Sequence, residues 1–337
     1  MSAALMPTYA RLPVAFQRGQ GAWLEDTTGR QYLDALTGIA VCGLGHGHPA
    51  VAAALADQAA TLVHTSNLYD IPHQNALGER LCALSGLDQV FFANSGAEAA
   101  EAAIKLARLY GHRHGIEQPE IIVAENAFHG RTLGALAATG NAKAQTGFGP
   151  LPAGFVRVPY NDPAAVEAAG TEQTAAVFVE PIQGEGGIVV PDDDYLAALR
   201  RICDDRGWLL MLDEVQSGVA RTGQWFAHAH AGIRPDVVTL AKALANGVPI
   251  GACIAGGAAT GVLGPGSHGT TFGGNPLATR AALAVLDVIE ADGLAERAAT
   301  LGTRIREGFR DRLAGEPGVR EIRGRGLMIG IELAHPC

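Results

Sequence analysis

The sequence predicts an α/β protein with a mostly parallel sheet flanked by helices, followed by a smaller α+β C-terminal domain. Apolar, strand-like segments alternate with helix-like segments through the middle of the chain. Three of the strand-like segments end in a charged residue, at intervals of about 30 residues, which is the length of one strand-helix-strand unit. After about residue 275 the pattern changes to alanine-rich helix. Alternation of this kind is typical of a parallel sheet with helices on both faces.

The predicted elements follow one another in a regular order. A strand at 89–94 precedes a helix at 97–111. A second helix, with aspartates at its N-terminal end, is predicted at 191–207. A last strand is predicted at 326–333. Further strands are predicted at 120–126, 175–181, 208–214 and 236–242. We divide the chain into an N-terminal segment (1–37), a large domain (38–289) and the start of a small, incomplete C-terminal domain (290–337).

Composition and charge exclude several classes of protein. Of the 337 residues, 48% are hydrophobic and 18% charged, which is typical of a globular protein with a large core. The formal net charge of −9, without a run of lysines and arginines, argues against nucleic acid as a partner. Residues 1–24 lack the apolar segment of a signal peptide, and the apolar region 243–263 is broken by Asn246, Pro249 and glycines. We expect a cytoplasmic protein without a membrane span.

The cysteines and histidines show no metal-ligand spacing. An odd number of cysteines without C-x-x-C spacing indicates reduced thiols, not a disulfide framework or a zinc site. We interpret His46, His48 and His129 as structural, and we predict no metal site. The five cysteines are Cys42, Cys82, Cys203, Cys253 and Cys337.

The three strand-end charges are Glu180, Asp213 and Lys242. Because neighbouring parallel strands end at the same edge of a sheet, these groups are expected to lie together at the carboxyl edge, where open α/β sheets bind ligands. A lysine at a strand end is also common where a chain simply meets water. Two acids and one base at unit spacing favour the functional interpretation.

A possible anion site precedes the first predicted helix. Ser95 and Gly96 lie between strand and helix, where free backbone N–H groups and the helix dipole favour phosphate, although Ser-Gly is also an ordinary N-cap. Together with Lys242 and Asp213, this site suggests pyridoxal phosphate. A lysine whose pKa is lowered by burial can form a Schiff base with an aldehyde, and an aspartate keeps the pyridine nitrogen protonated.

Six motifs carry a resemblance that covers essentially the whole chain. They are "ANSGAEAAEAAIKLAR", "AENAFHGRT", "VEPIQGEGG", "LDEVQSGVARTG", "AKALANGVPIGA" and "HGTTFGGNPLA". In this order they resemble the class III pyridoxal-phosphate aminotransferases, and the sequence is most similar to the acetylornithine aminotransferases of arginine biosynthesis. The resemblance implies a homodimer with shared active sites.

The resemblance also implies roles for residues around the cofactor. Lys242 would form the internal aldimine and then carry a proton between the substrate carbon and the cofactor. Asp213 would pair with the pyridinium, Gln216 would bond the phenolic oxygen, and Phe128 would stack on the ring. The phosphate would be held by Ser95, Gly96, Ala97 and, from a second subunit, Thr271.

On the substrate side, the resemblance implies that Arg131 binds the substrate carboxylate, with assistance from Tyr9. Glu185 corresponds to the gating acid of the family. Ile39 stands where ornithine enzymes tend to have a tyrosine, and its smaller side chain leaves room for an acylated substrate.

The resemblance implies exchange of an amino group between N-acetylornithine and 2-oxoglutarate. Succinylornithine, ornithine and 4-aminobutyrate remain alternative substrates, and an aminomutase, a decarboxylase or a silent cofactor-binding relative remain alternative types of protein.

Two features depart from the family pattern. The phosphate turn reads Ser-Gly-Ala where relatives often have Ser-Gly-Thr, and relatives continue past "RGLMIGIEL" to a second arginine that answers the acid at Glu185. Arg323 and Arg325 are the candidates to replace it, but we expect them to lie in a glycine-rich turn before the final strand. Glu185, left without its partner, should then repel the side-chain carboxylate of glutamate, so we expect poor reaction with acetylornithine and poorer reaction with glutamate.

Overall fold

A computed structural model describes residues 4–335, and within them it contains twelve strands and ten helices. The strands are β1 (Phe16–Gln20), β2 (Trp23–Asp26), β3 (Gln31–Leu33), β4 (Gln89–Ala93), β5 (Glu120–Ala124), β6 (Phe155–Val158), β7 (Thr174–Val179), β8 (Leu209–Asp213), β9 (Val237–Leu240), β10 (Gly251–Ala255), β11 (Val319–Arg325) and β12 (Met328–Leu333). The helices are α1 (Thr37–Ala40), α2 (Pro49–Thr61), α3 (Pro72–Ser85), α4 (Gly96–Arg113), α5 (Leu133–Ala138), α6 (Ala142–Gln145), α7 (Pro163–Ala169), α8 (Tyr195–Arg206), α9 (Pro276–Ala291) and α10 (Leu294–Arg312).

A seven-stranded sheet forms the centre of this described region, with the strand order β4-β10-β9-β8-β7-β5-β6. The strands from β9 to β6 pair in parallel, whereas β10 is antiparallel to both of its neighbours. The predicted α/β class, with a mostly parallel sheet flanked by helices, is confirmed. Each of the predicted strands at 89–94, 120–126, 175–181, 208–214 and 236–242 overlaps an observed strand.

Helices cover both faces of the sheet, because consecutive strand residues point in opposite directions. On one face α4 packs on side chains of the central strands, among them Ile121, Val123, Phe178, Leu209 and Met211. The opposite face is shared by two groups of helices. There α7 and α8 cover Ile122, Val177, Leu210 and Leu212, while α2, α3 and α9 cover Val238, Leu240, Ala252 and Ile254. These fully buried strands fit the near-continuous apolar runs seen in the sequence.

Some elements differ from the predictions. The antiparallel strand β10 lies within the apolar, glycine-rich region 243–263, for which no strand was predicted, and its small residues give little strand signal. The alanine-rich stretch after residue 275 forms two helices instead of one. Gly293, with a φ of 60°, begins the second helix in the left-handed region and reverses the chain direction. The three-stranded sheet β1-β2-β3 was also not predicted.

The last described elements form an α+β unit. Strands β11 and β12 make an antiparallel hairpin that packs on α10. The approach is close, since a Cβ added at Gly302 of α10 would lie 1.8 Å from the Gly326 carbonyl oxygen. The predicted strand at 326–333 corresponds to β12. The proposed domain limits of 1–37, 38–289 and 290–337 stay a prediction.

Two general properties of the described chain bear on its environment. Between residues 4 and 335, no helix is both long and apolar enough to pass through a membrane. Cys42, Cys82, Cys203 and Cys253 are free thiols, and Cys337 lies outside the described residues.

Candidate active site

The three strand-end charges meet at the carboxyl edge of the sheet. Strands β7, β8 and β9 are adjacent and parallel, so Glu180, Asp213 and Lys242 follow or end three neighbouring strands. A cavity of about 370 Å³ opens at this edge, and all three residues line it. The three charges lie together at this edge, as the sequence predicts, and their roles stay a prediction. Nine of the twelve predicted site residues line the cavity: Ser95, Gly96, Ala97, Phe128, Arg131, Glu185, Asp213, Gln216 and Lys242.

The other three predicted residues lie away from the cavity lining. Tyr9 is 73% exposed and Ile39 is 52% exposed, and Thr271 is exposed in the single chain. Ile39 belongs to a turn in which every residue from Thr37 to Ala40 has a positive φ. Non-glycine residues rarely adopt this conformation in succession, so the turn is strained. The carboxylate of Asp34 anchors it by accepting the Thr37 N–H at 2.7 Å, and the turn leads to Val41, which does line the cavity.

Lys242 is held in an unusual backbone conformation at the cavity wall. It follows β9, begins a short 3-10 turn (Lys242–Ala245), and has a φ of +45°, a left-handed value that costs energy for a lysine. Burial lowers the pKa of its ammonium group, while the Asp213 and Glu185 carboxylates oppose that shift. The chain has three lysines, and the other two, Lys105 and Lys143, lie outside the cavity lining.

Asp213 is buried and is oriented by two hydrogen bonds. Its Oδ1 accepts the Val215 N–H at 3.0 Å, and its Oδ2 accepts from His129 Nδ1 at 2.8 Å. The His129 ring stacks on Phe178 with centroids 4.1 Å apart. The sequence predicts a structural role for His129 and no link to Asp213, whereas the structure pairs the two side chains. The one sequence feature that points to this contact is the position of His129 next to Phe128, a predicted cofactor residue.

The turn before α4 has the geometry of an anion site. Ser95 is the N-cap of this 18-residue helix, and its hydroxyl accepts the Glu98 N–H at 3.2 Å. A Cβ at Gly251 of the neighbouring strand would lie 2.2 Å from the Ser95 carbonyl oxygen, so only glycine permits the approach. The first N–H groups of a helix have no intrahelical acceptor, and those of Gly96 and Ala97 lie at the cavity.

Glu180 joins two loops beside the cavity. Its Oε2 accepts the Phe128 N–H at 3.1 Å, and its Oε1 accepts the Gly184 N–H at 3.0 Å. Burial raises the pKa of the Glu180 carboxyl to about 7. The sequence placed Glu180 at the correct sheet edge but assigned it no role.

The substrate side of the cavity carries both charge signs. Arg131 lies with its guanidinium carbon 5.6 Å from the centre of the Phe128 ring. The carboxylate of Glu185 is exposed and lies 3.4 Å from Gln216 Nε2. Neither suggested replacement for the family's second arginine is bonded to Glu185. Arg323 instead donates to the carbonyl oxygens of Gly187 and Ile188 and pairs with acids of the hairpin, and Arg325 pairs with Asp193 at 2.8 Å.

These groups fit pyridoxal phosphate, the cofactor predicted from the sequence. The helix N-terminus offers backbone donors to a phosphate, the buried carboxylate of Asp213 suits a protonated ring nitrogen, and Phe128 offers an aromatic face. Lys242 offers an amine whose neutral form is favoured by burial. Within residues 4–335, no group of histidine, cysteine, aspartate and glutamate side chains could hold a metal ion.

Comparison with known proteins agrees with this geometry. The family description "Aminotransferase class-III" matches residues 5–337. The acetylornithine aminotransferase of Nitrosomonas europaea is 59% identical over 335 residues, which cover 99% of this chain and 85% of that protein. A solved ornithine aminotransferase of Toxoplasma gondii, reported with partial occupancy of PLP at its active site, has a TM-score of 0.95 at 38% identity, covering 98% of this chain and 79% of that chain. The solved structure of the acetylornithine aminotransferase of Elizabethkingia anophelis has a TM-score of 0.87 at 36% identity, and the match covers 98% of this chain and 82% of that chain.

Replacing His129 tests whether it orients Asp213. His129→Phe keeps the ring contact with Phe178 but leaves the buried carboxylate without its side-chain donor. We expect the free energy of unfolding to fall by about 2 kcal/mol or more in urea denaturation, and the affinity for pyridoxal phosphate to fall as well. The matched control is His228→Phe, because His228 pairs with Glu214 at 2.7 Å and stacks on Phe226 outside the cavity.

The control should lose stability but keep cofactor affinity. If both variants bind the cofactor equally well, the orienting role of His129 is wrong.

Proposed function

We propose that this chain, which belongs to the class-III aminotransferase family, exchanges an amino group between N-acetylornithine and 2-oxoglutarate. The observation that carries the proposal is the meeting of Lys242 and Asp213 in one cavity, at the ends of adjacent parallel strands. High identity to acetylornithine aminotransferases over almost the whole chain supports the choice of substrate.

Class-III aminotransferases use pyridoxal 5′-phosphate, which when bound withdraws electrons from the substrate carbon and carries the amino group between the two substrates. Lys242 would hold the cofactor through its Nζ, and the same amine would take a proton from the reacting carbon and return it. Its lowered pKa makes the neutral amine available for both tasks. Asp213 would hold the ring nitrogen in its charged form, with His129 directing the carboxylate.

The remaining cavity residues position the substrates. Arg131 binds a carboxylate of the amino acid or the 2-oxo acid, because its planar guanidinium matches that group. Phe128 and Gln216 line the cavity and would help to hold the cofactor, Phe128 through apolar contact and Gln216 through a hydrogen bond. Glu185 stands on the substrate side, where its charge favours the neutral acylated end of acetylornithine over the second carboxylate of glutamate.

Ornithine is the second candidate substrate. The observation that favours it is the structural likeness to an ornithine aminotransferase, with a TM-score of 0.95. The higher identity to acetylornithine enzymes and the aliphatic Ile39 favour the acylated substrate instead. Under this proposal Tyr9 and Ile39 lie at the rim of the cavity, and the acyl group of the substrate would extend towards that rim.

We also propose that the active unit is a homodimer. Leu68, Tyr69 and Phe272 are large apolar side chains that are exposed in the single chain, on the loop that follows Asn67 and on the loop that carries Thr271. Asn67 ties these two loops together by donating to the carbonyl oxygens of Thr270 and Gly273. A second copy that covers these side chains would remove them from water and bring Thr271 to the phosphate of the partner's site.

A half-reaction assay tests the proposed activity. Purified protein with bound cofactor is mixed with one amino donor at a time: acetylornithine, succinylornithine, ornithine, 4-aminobutyrate or glutamate. We expect stoichiometric conversion to the pyridoxamine form, with kcat/KM highest for acetylornithine. Asp213→Asn should slow the conversion about 100-fold or more, because a neutral amide does not hold the ring nitrogen protonated.

Glu185→Gln should raise kcat/KM for glutamate, since it removes a like charge. Conversion that is fastest with ornithine would replace the proposed substrate, and no conversion with any donor would refute the aminotransferase.

Mixing two inactive variants tests the shared site. Lys242→Ala and Thr271→Ala chains are each expected to bind the cofactor poorly, and a hybrid dimer would contain one site with both native residues. We expect sedimentation to show a dimer, and the mixture to regain cofactor affinity in part of its sites. A monomer, or no recovery at any mixing ratio, would contradict the proposal.

A further inference from the structure

We propose that Glu180 is a positioning residue, whose buried carboxylate ties the loop that carries Phe128 to the loop that carries Glu185. It would thereby set the spacing between the ring that packs on the cofactor and the acid on the substrate side. The inference rests on the proposed function, because that function assigns the Phe128 loop to the cofactor and the Glu185 loop to the substrate. The tie itself is a property of the chain and is tested separately.

The geometry of the tie is specific. Each oxygen of Glu180 accepts one backbone N–H, from Phe128 at 3.1 Å and from Gly184 at 3.0 Å. The residue is only 5% exposed, so water does not compete for these bonds. Its own backbone is held from the far side, where the Tyr160 hydroxyl donates to the Glu180 carbonyl at 2.9 Å.

Only an ionised carboxylate satisfies both loops. It has two equivalent acceptor oxygens, whereas a glutamine amide accepts at one end and presents N–H groups at the other. A glutamine would therefore oppose a donor with a donor at one of the two loops. A buried backbone N–H left without an acceptor is costly, so that loop would move.

The far end of the Glu185 loop is fixed by a different group. Arg323 on β11 donates to the carbonyl oxygens of Gly187 and Ile188. Glu185 thus lies between two anchors, with Gly184 bonded to Glu180 on one side and Gly187 bonded to the hairpin on the other. Loss of the Glu180 anchor would free the side nearest the cavity.

Titratable and charged groups surround Glu180 on every side. Asp213 ends the next strand, Lys242 follows the strand after it, His129 comes from the Phe128 loop, and Tyr160 follows β6. Burial raises the pKa of Glu180 to about 7, with Asp213 acting in the same direction and His129 against it. As pH falls through about 7, one oxygen therefore takes up a proton and the tie weakens.

The chain contains a matched control. Glu214 is a buried acid that also follows a strand, and it too accepts two backbone N–H groups, from Ala227 at 2.5 Å and from His228 at 2.9 Å, together with the His228 ring at 2.7 Å. Those bonds hold a turn outside the cavity lining. Glu214→Gln therefore also removes a buried carboxylate that accepts two backbone N–H groups. It leaves the hydrogen bonds of the Phe128 and Glu185 loops unchanged.

Hydrogen exchange of the cofactor-free protein tests the tie directly. In Glu180→Gln we expect the amide of Phe128 or Gly184 to exchange about tenfold faster or more, as for a lost bond to a charged acceptor. In Glu214→Gln the amides of Phe128 and Gly184 should keep their wild-type rates. Retained protection at both amides in Glu180→Gln, or equal loss in the two variants, would overturn the proposal.

If Glu180→Gln does not fold, the pH dependence of hydrogen exchange in the wild-type protein provides an independent test. Protection of Phe128 and Gly184, corrected for the intrinsic rate, should fall as pH is lowered through about 7. The global free energy of unfolding depends on this group with the opposite sign: because burial raises the folded pKa above the ordinary value of 4.5, the stabilisation is fully present below about pH 4.5 and is lost as pH rises through about 7. The expected loss of protection at low pH is therefore local to Phe128 and Gly184 and is not a loss of global stability. Protection that does not change across this range would contradict the tie.

Kinetics then connect the tie to the site. With the preferred donor, Glu180→Gln should raise KM more than it lowers kcat, because Glu185 loses its position while Lys242 and Asp213 stay in place. Glu214→Gln should leave KM unchanged. An unchanged KM in Glu180→Gln would overturn the positioning role. The exchange result stands apart from the proposed function, which the half-reaction assay tests by itself.

Discussion

The site depends on one constraint, the burial of an amine and two carboxylates at the ends of three adjacent parallel strands. Removing such charges from water is costly unless each one has partners. Asp213 has His129 and a backbone N–H, and Glu180 has two backbone N–H groups. Lys242 is left with a lowered pKa, which is the property that the proposed chemistry requires. The surrounding sheet serves to hold this arrangement.

Strain and close approach concentrate around the same cavity. Lys242 and the turn from Thr37 to Ala40 have left-handed backbones, and Gly251 lets a strand touch the carbonyl of Ser95. Such features persist only where the surrounding packing compensates for them. Here the covering helices on both faces of the sheet supply that packing, and Lys242 is a strained residue that faces the cavity. Stability of the sheet and geometry of the site are therefore coupled.

The sequence predicted the sheet edge well because strand ends at a fixed spacing determine where their side chains meet. It could not predict the pairing of His129 with Asp213, since the two residues are 84 positions apart and meet through loop geometry. The hydrogen bonds of Glu180 are invisible for the same reason. Strand β10 was missed because small residues carry little strand signal, and Thr271 lies on a surface whose environment depends on a partner chain.

The most direct test of the account is to identify the lysine that carries the cofactor. Reduction of the loaded protein with borohydride fixes the cofactor to its lysine, and peptide mass spectrometry locates the adduct. Burial favours the neutral amine at Lys242, and Lys105 donates to His268 at 2.8 Å on the exposed side of α4. We predict one adduct, on Lys242. An adduct on Lys105 or Lys143 would contradict the account.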